Sequence, residues 1–408
     1  MSAPSTTNRP SLAILIAMTA IGPTALNIFI ASMPGMQLVF NTDYGTIQLT
    51  LTLYLVGLGL AQLAYGPISD RTGRRPALLS GLAIFVLGSL LCTLAWSIEV
   101  LIAGRLLQAI GGCAGLVMAR AIVRDIYDRS ESAAMIGYIT MAMSLAPMFA
   151  PAIGGFLDAW WSWRASFVLC MLFGLAVATW SLLRLPETLL HKAETGGSIL
   201  AGLASYGRDQ WGLLCHPGFR GYALQTTFTS GMFFAFITGA PFVVISVQKL
   251  PPSTYGLWFI LVSVGYMVGN FCTGRLARRY GTDRMIAAGA IIAILGSGLI
   301  TACGLLGYTS PPALFLPMAV VAISNGITLP NGIAGAISVN PRLAGTAAGM
   351  VGALQMAMGA VATQIVGHWQ DIRPDHLPME FTMLGFACAA AATCLLSRNA
   401  RQTISKAG

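Results

Sequence analysis

The chain has 408 residues, of which 56% are hydrophobic and only 9% are charged, and its mean hydropathy is +0.73. A soluble domain carries roughly 25% charged residues, so this composition excludes an ordinary soluble protein and indicates a membrane protein. The formal net charge is +9. Because the basic residues are scattered over loops and tails, we do not expect nucleic-acid binding.

Apolar stretches long enough to cross a membrane recur along the whole chain. A membrane-crossing helix needs about 20 mostly apolar residues. The twelve predicted spans are approximately 11–34, 46–66, 77–97, 100–121, 134–157, 165–184, 219–247, 255–273, 285–306, 312–335, 344–367 and 379–397. The first apolar run is too long for the core of a cleavable signal peptide. We therefore expect an all-α membrane protein whose two termini lie on the same side.

The distribution of basic residues predicts the orientation. Eighteen of the 23 Lys and Arg residues fall in segments assigned to the cytoplasm, and two, Arg105 and Arg120, fall inside the fourth span. Short loops rich in Lys and Arg stay on the inner side, so both termini are expected in the cytoplasm. The predicted domains are a tail (1–10), a six-helix bundle (11–184), a linker (185–218), a second six-helix bundle (219–397) and a tail (398–408).

The stretch from Gly66 to Pro76 is a dense group of charges between two apolar runs. It cannot lie in hydrocarbon, so we expect a short cytoplasmic turn. Gly66 should let two helix ends approach closely, and the two prolines should end the helices. Asp70 should pair with a neighbouring helix end, while two arginines tie it to the next helix. The residues expected to control conformation here are Gly66, Asp70, Arg71, Gly73 and Arg74.

The fourth span contains Arg105, followed by Gln108. An Arg inside a membrane costs free energy, from about 2.5 kcal/mol upward, and normally faces a cavity or a partner. We therefore predict that Arg105 and Gln108 take part in substrate binding or coupling. The alternative is that Arg105 extends to the nearby outer surface.

Two prolines four residues apart, Pro147 and Pro151, lie in the fifth span, followed by Gly154 and Gly155. Each proline removes a backbone donor, so the helix should bend. The glycines should permit close contact with another helix. We predict that these four residues act in conformational change, although prolines in a span can also be a packing accident.

A weak internal repeat divides the chain near its middle. The stretch from Gly274 to Gly281 lies 208 residues after Gly66 and keeps the spacing between its glycines. Transporters built from such repeats bind their substrate at the interface of the two halves. The second copy has Arg278 where the first has Asp70, so the two turns should not be equivalent.

Polar and aromatic residues are mixed in the seventh span, which is unusual for a helix that faces only lipid. Polar groups can orient a ligand while aromatic faces bury it. We therefore predict a substrate cavity between the first, fourth, seventh and eighth spans, and the alternative is ordinary packing between helices. The predicted substrate-binding residues are Asn27, Arg105, Gln108, Gln225, Phe233, Phe236 and Tyr266.

Several motifs together resemble the bicyclomycin/chloramphenicol-resistance (Bcr/CflA) branch of the drug:proton antiporters in the major facilitator superfamily. They are the Gly66–Pro76 turn, the signatures of the fourth and fifth spans, Ala121–Asp125, Phe233–Val243, and Gly345–Gly349 followed by Gln355. The resemblance covers roughly residues 15–396. It implies twelve helices in two pseudo-symmetric six-helix bundles that work by alternating access.

The same resemblance implies a function and a location. We expect a secondary active exporter of small amphipathic, neutral compounds in the bacterial inner membrane, acting as a monomer in the lipid bilayer. No cofactor is expected, and a proton gradient would supply the energy. The residues considered for coupling are Arg105, Arg120, Asp125 and Glu99.

One departure from the branch is Asn27, which stands where the branch commonly has an Asp that can carry a proton. Asn cannot titrate, so an uncoupled carrier or an importer of a neutral or anionic metabolite stays as the alternative function. A membrane-embedded enzyme would need a nucleophile and base, or metal ligands, at membrane depth. The four histidines lie in loops or at span ends, so we expect neither an enzyme nor a metal site.

Overall fold

The computed structural model describes residues 10–127, 131–132, 135–136, 138–139, 143, 145–189, 207, 210–340 and 343–407. Side chains are described up to Cys394, except that of Leu145. Most of the predicted N-terminal tail, part of the fifth span and most of the linker therefore lie outside the described residues. Those that are described form helices and connecting turns, with no strand among them.

The helices of the N-terminal half are α1 (Leu12–Asn27), α2 (Met33–Phe40), α3 (Tyr44–Thr72), α4 (Arg74–Thr93), α5 (Ile98–Ile126), α6 (Leu145–Trp160) and α7 (Trp163–Arg184). Those of the C-terminal half are α8 (Pro217–Pro241), α9 (Pro252–Tyr280), α10 (Thr282–Leu305), α11 (Pro311–Ser338), α12 (Ala344–Ile372) and α13 (Leu377–Ala407). A short 3-10 turn joins α1 to α2, and a π-helix (Phe242–Val247) extends α8.

Eleven helical segments among the described residues are long and apolar enough to cross a membrane. The segment Leu12–Phe40, formed by α1 and α2, counts as one of them. The predicted fifth span is described in part, as α6. These observations agree with the predicted all-α fold of twelve spans. The last helix continues to Ala407, through residues that were predicted to form a tail.

The turn between α3 and α4 is shorter than predicted. Helix α3 continues through Gly66 and Pro67 to Thr72, and α4 begins at Arg74. The chain reverses at Gly73, whose φ of 106° suits glycine. A methyl group at Gly66 would meet no atom within 4 Å. The expectations that Pro67 ends the helix and that Gly66 allows close approach were therefore wrong.

The same turn occurs in the second half. Gly281, which is 208 residues after Gly73, has a φ of 80° and separates α9 from α10. The repeat seen in the sequence is thus a repeated glycine turn at equivalent positions of the two halves. The side chains around the turns differ, as predicted: Asp283 follows the second turn and accepts a hydrogen bond from the Tyr222 hydroxyl (2.8 Å).

The apolar core shows how the two halves meet. We call the end near Asp371 the outer end and the end near Arg74 the inner end, following the predicted orientation. At the outer end, residues of both halves, such as Phe29, Tyr44 and Phe236, share one continuous core cluster. At the inner end each half has a cluster of its own. The two bundles are therefore joined most closely at the outer end.

Candidate functional site

Hydrogen bonds between the halves close the outer end. The Asp371 carboxylate, at the end of α12, accepts hydrogen bonds from the backbone N–H groups of Tyr44 and Gly45, both at 2.8 Å. A carboxylate at a helix N-terminus is stabilised by the helix dipole and the free N–H groups. The Tyr44 hydroxyl also donates to the Thr238 carbonyl oxygen of α8 (3.0 Å). We call these four residues the outer latch.

Glycines bring α6 against helices of both halves. A methyl group at Gly154 would overlap the carbonyl oxygen of Ile28 in the N-terminal half. A methyl group at Gly155 would lie 2.8 Å from the carbonyl oxygen of Pro252 at the start of α9. The close contacts that the fifth-span glycines predicted are therefore present. Pro151 lies within α6, and its carbonyl oxygen faces Gly256 of α9.

Arg105 lies wholly inside the N-terminal bundle and is 0% exposed. Its guanidinium carbon stands 4.0 Å from the centre of the Phe29 ring and 4.2 Å from that of Tyr54. Its Nη1 donates to the carbonyl oxygen of Ala25 (3.0 Å) and to Oε1 of Gln108. The alternative that Arg105 extends to the outer surface is therefore wrong, because the cation is held between aromatic rings.

The charge of Arg105 has no anionic partner within the described part of the chain. Its Nε and Nη2 atoms are buried there without a hydrogen-bond partner. Gln108 is also fully buried, and its amide N–H donates a hydrogen bond to the Ser89 hydroxyl (2.9 Å), so the hydrogen-bond chain extends from Arg105 to Ser89. A cation held by ring faces, carbonyls and amides keeps a positive field in a low-dielectric interior.

Two buried amide side chains follow or precede residues at which the core clusters of the two bundles meet. Leu26 and Met356 each pack against both the outer core cluster and the inner cluster of the N-terminal half. Next to them in sequence are Asn27 and Gln355, which are 3% and 9% exposed. Asn27 donates to the Pro23 carbonyl oxygen (2.7 Å), whereas its Oδ1 and the Gln355 Nε2 have no partner among the described residues. Both amides therefore keep a buried polar atom that is free to form a further hydrogen bond.

The predicted residues of α8 and α9 do not form one cluster with Asn27. Phe236 is fully buried and meets the Phe315 ring edge-on at 5.6 Å, inside the C-terminal half. Phe233 and Tyr266 are partly buried and pack against the outer core. Gln225 donates to the Thr229 hydroxyl (3.3 Å), and its buried Oε1 is without a partner in the described residues.

At the inner end, Arg74 at the start of α4 connects the ends of α3 and α5. It contacts Asp70 of α3 (2.5 Å) and Asp125 of α5 (2.8 Å), and it donates to the Ser69 hydroxyl (2.6 Å). We call Arg74, Asp70 and Asp125 the inner lock. The predicted pairing of Asp70 is present. Arg71 forms no ion pair among the described residues, and its part in tying the helices stays a prediction.

Glu187 adds a contact to the inner lock that the sequence did not reveal. Its carboxylate accepts hydrogen bonds from the backbone N–H groups of Arg74 (2.9 Å) and Arg75 (3.2 Å), at the start of α4. Partial burial raises the pKa of this carboxyl group, but these bonds and those from the N–H groups of Leu189 and Thr188 outweigh it, and the pKa lies below its usual 4.5. The first N–H groups of a helix have no partner within the helix, so a carboxylate that binds them could have been expected near the start of α4.

The candidates for coupling lie in different environments. Glu99 and Arg120 are exposed at opposite ends of α5, and Asp125 belongs to the inner lock. Arg105 alone among the four is buried. Within the described residues, no group of three His, Cys, Asp or Glu side chains could hold a metal ion.

The sequence alone did not reveal that Glu380, in the first turn of α13, is buried. Glu380 is 3% exposed and lies 3.0 Å from Nδ1 of His376, one helical turn earlier. The signal was the spacing of four residues between a His and a Glu at the start of an apolar span, which places both on one helix face.

Two six-helix halves joined at one end, with buried polar groups between them, define a membrane transporter of the alternating-access type. The sequence profile described as Major Facilitator Superfamily matches residues 13–363. The chain therefore belongs to the major facilitator superfamily.

Relatives and solved structures agree with this assignment. The chain is 30% identical to Multidrug resistance protein D of Escherichia coli, over 96% of this chain and 97% of that protein. It is 32% identical to the Chloramphenicol resistance protein of Pseudomonas aeruginosa, over 84% and 79% of the two chains. A crystal structure of a bacterial homologue of the lysosomal transporter Spinster, inward-facing and unoccupied, superimposes with a TM-score of 0.75 at 17% identity, over 95% and 96% of the chains. The resemblance to the drug:proton antiporter branch is thus confirmed.

Proposed function

We propose that this protein exports small, neutral, amphipathic compounds from the bacterial cytoplasm by alternating access. The observation that carries the proposal is the similarity to Multidrug resistance protein D along nearly the whole of both chains. The similarity to the Chloramphenicol resistance protein supports phenicols as test substrates. The protein acts as a monomer in the inner membrane, with both termini in the cytoplasm, needs no cofactor and binds no nucleic acid.

The electrostatics of the described residues support neutral substrates. Arg105 is buried without a carboxylate partner, and Asn27 on the neighbouring helix is uncharged. A lipophilic cation near this site would be repelled by the guanidinium at low dielectric. Neutral molecules with hydrogen-bonding groups would instead find the Asn27 and Gln355 amides beside the apolar Leu26 and Met356.

The proton gradient is proposed as the energy source, on the basis of the antiporter relatives. Uptake of a phenicol into everted membrane vesicles tests both export and coupling. An exporter accumulates the compound in everted vesicles, and a proton antiporter does so only while a pH gradient is present. Vesicles without the protein are the control. Equal concentrations of the compound on both sides of the membrane, reached with or without the gradient, would indicate an uncoupled carrier. Gradient-driven loss of the compound from vesicles that were loaded with it would indicate an importer.

A comparison of substrates tests the charge argument separately. Cells that express the protein should survive higher concentrations of phenicols than control cells, with little protection against ethidium-like cations. Equal protection against both would contradict the preference for neutral compounds, while leaving export itself established.

A further inference from the structure

A buried carboxyl group lies at the outer end of the C-terminal bundle, outside the latch and the bundle interface. It belongs to Glu380, in the first turn of α13. One oxygen, Oε1, lies 3.0 Å from Nδ1 of His376. The other, Oε2, is buried and has no hydrogen-bond partner among the described residues.

Apolar and polar side chains both surround this carboxyl group. A methyl group at Gly304 of α10 would overlap the Glu380 carboxylate, so the acid occupies space that only glycine leaves free. A small pocket adjoins it. The pocket is lined by Val243, Ile300, Tyr308, Thr309, Ala313, Leu314, His376 and Glu380.

The other titratable groups near the pair are few. Asp375 is held by Arg373 (2.5 Å) and accepts the backbone N–H of Leu377 (2.9 Å), and Tyr308 lines the pocket. Burial lowers the pKa of His376; Asp375 opposes this shift and Arg373 adds to it. The imidazole is therefore neutral at neutral pH, and in the described chain neither Lys nor Arg forms an ion pair with Glu380.

An ionised carboxylate in such a place is costly, because one oxygen is unpartnered and the neighbouring imidazole is uncharged. Taking up a proton removes the charge and creates an O–H group, which can donate a hydrogen bond to the imidazole nitrogen. We propose that Glu380 and His376 form a proton-binding site of the C-terminal bundle, reached from the outer face through the adjoining pocket. The proton comes from water and joins the carboxylate, and no other bond changes.

This site goes beyond the proposed export function, because proton binding can be measured without any transported compound. Infrared spectra of the purified full-length protein in lipid nanodiscs, recorded over a pH series, should show a carboxylic-acid C=O band that titrates. The band should be lost in Glu380→Gln. It should be kept in Glu99→Gln, which removes an exposed glutamate from the outer end of the other bundle.

Two further variants test the geometry. His376→Leu removes the hydrogen-bond partner that the acid has among the described residues and should move the midpoint of the band by about one pH unit. Gly304→Ala should displace the carboxyl group and move the midpoint too, which keeps a readout if Glu380→Gln does not fold. The proposal is overturned if the band is absent, persists at every pH, survives in Glu380→Gln, or keeps its midpoint in both other variants.

Discussion

Arg105 shows how a charge can be kept in the interior of a membrane protein without an anionic partner among the residues that the structure describes. The faces of the Phe29 and Tyr54 rings lie on the guanidinium, and the Ala25 carbonyl and the Gln108 amide accept from it. A planar guanidinium can stack and donate in its plane at the same time, whereas an ammonium cannot. The geometry therefore requires arginine and not just a positive charge.

We predict that Arg105→Lys lowers the thermal stability of the protein and reduces export. The loss should be about 2 kcal/mol, the size of a desolvated cation–π interaction. Melting temperatures in detergent and phenicol export would measure it. Arg71→Lys is the control, because Arg71 is partly exposed and has no ion-pair partner among the described residues. Equal stability of the two variants would contradict the stacking argument.

Asn27→Asp should shift the substrate preference toward cations. The Asn27 amide donates to the Pro23 carbonyl oxygen, and an ionised Asp cannot donate. The variant therefore either carries a negative charge beside the bundle interface or takes up a proton, so cation export and its pH dependence should both rise. Resistance to ethidium and to phenicols at several pH values would test this. Asn27→Ala is the control, since it removes the same hydrogen bond without adding an acid.

At the level of secondary structure, the turn between α3 and α4 combines features that the sequence did and did not reveal. Glycines, charges and prolines within eleven residues predicted a turn. Because the chain needs a positive φ at only one residue, Gly73, it reverses there and α3 continues past Pro67. A proline is tolerated within a membrane helix where its neighbours satisfy the freed carbonyl, and that compensation cannot be read from the order of residues.

The two glycines of this segment should respond differently to substitution. Gly66→Ala meets open space in a helix and should be neutral or stabilising, by up to about 1 kcal/mol. Gly73→Ala combines an unfavourable φ of 106° with a close approach to the Glu187 carboxylate, and should cost about 1–3 kcal/mol. Melting temperatures of the two variants decide between this interpretation and a special role for Gly66.

Glu187 should make the thermal stability of the protein fall when the pH becomes acidic. The pKa of Glu187 in the folded protein lies below the usual 4.5. The ionised carboxylate therefore adds its whole contribution to the free energy of unfolding above pH 4.5, and this contribution is lost as the pH falls through the folded pKa. A charge at a helix start contributes about 0.3–1 kcal/mol. In Glu187→Gln the melting temperature should fall less than in the wild type between about pH 6 and about pH 3. Parallel curves would contradict the capping role.

At the level of the whole molecule, the shared outer core and the outer latch hold the bundles together at one end. The helical spans, the division into two halves and the contact between Asp70 and Arg74 were predictable, because they follow from local hydrophobicity and charge. Asp125 was not predicted as a member of the inner lock, since its place beside Arg74 depends on how α5 packs. The outer latch was not, since Asp371 lies 327 residues from Tyr44 and bonds its backbone. Nor was the burial of Glu380, because exposure near a helix end depends on what packs against it.

We predict that Asp371→Ala increases the population open at the outer end. The substitution leaves the N–H groups of Tyr44 and Gly45 without their carboxylate. Spin labels at Leu38 and Leu306, exposed positions at the outer ends of the two halves, would report a longer distance. Ser97→Ala is the matched control, because the Ser97 hydroxyl caps the outer end of α5 within its own half. Unchanged distances in Asp371→Ala would show that the apolar core alone sets the closed state.

The outer latch and the inner lock differ in how they respond to salt. Dissolved ions screen the attraction between exposed charges much more than that between buried ones. In the inner lock Arg74 is buried, and of its two carboxylate partners Asp70 is the more exposed, so salt acts mainly on the Asp70 contact. In the outer latch the Asp371 carboxylate accepts hydrogen bonds from uncharged backbone N–H groups, so dissolved ions weaken this interaction less than they weaken an exposed ion pair. The outer latch joins the two halves, whereas the inner lock joins α3, α4 and α5 of one half. Added salt should therefore weaken the Asp70 contact inside the N-terminal bundle before it opens the outer end.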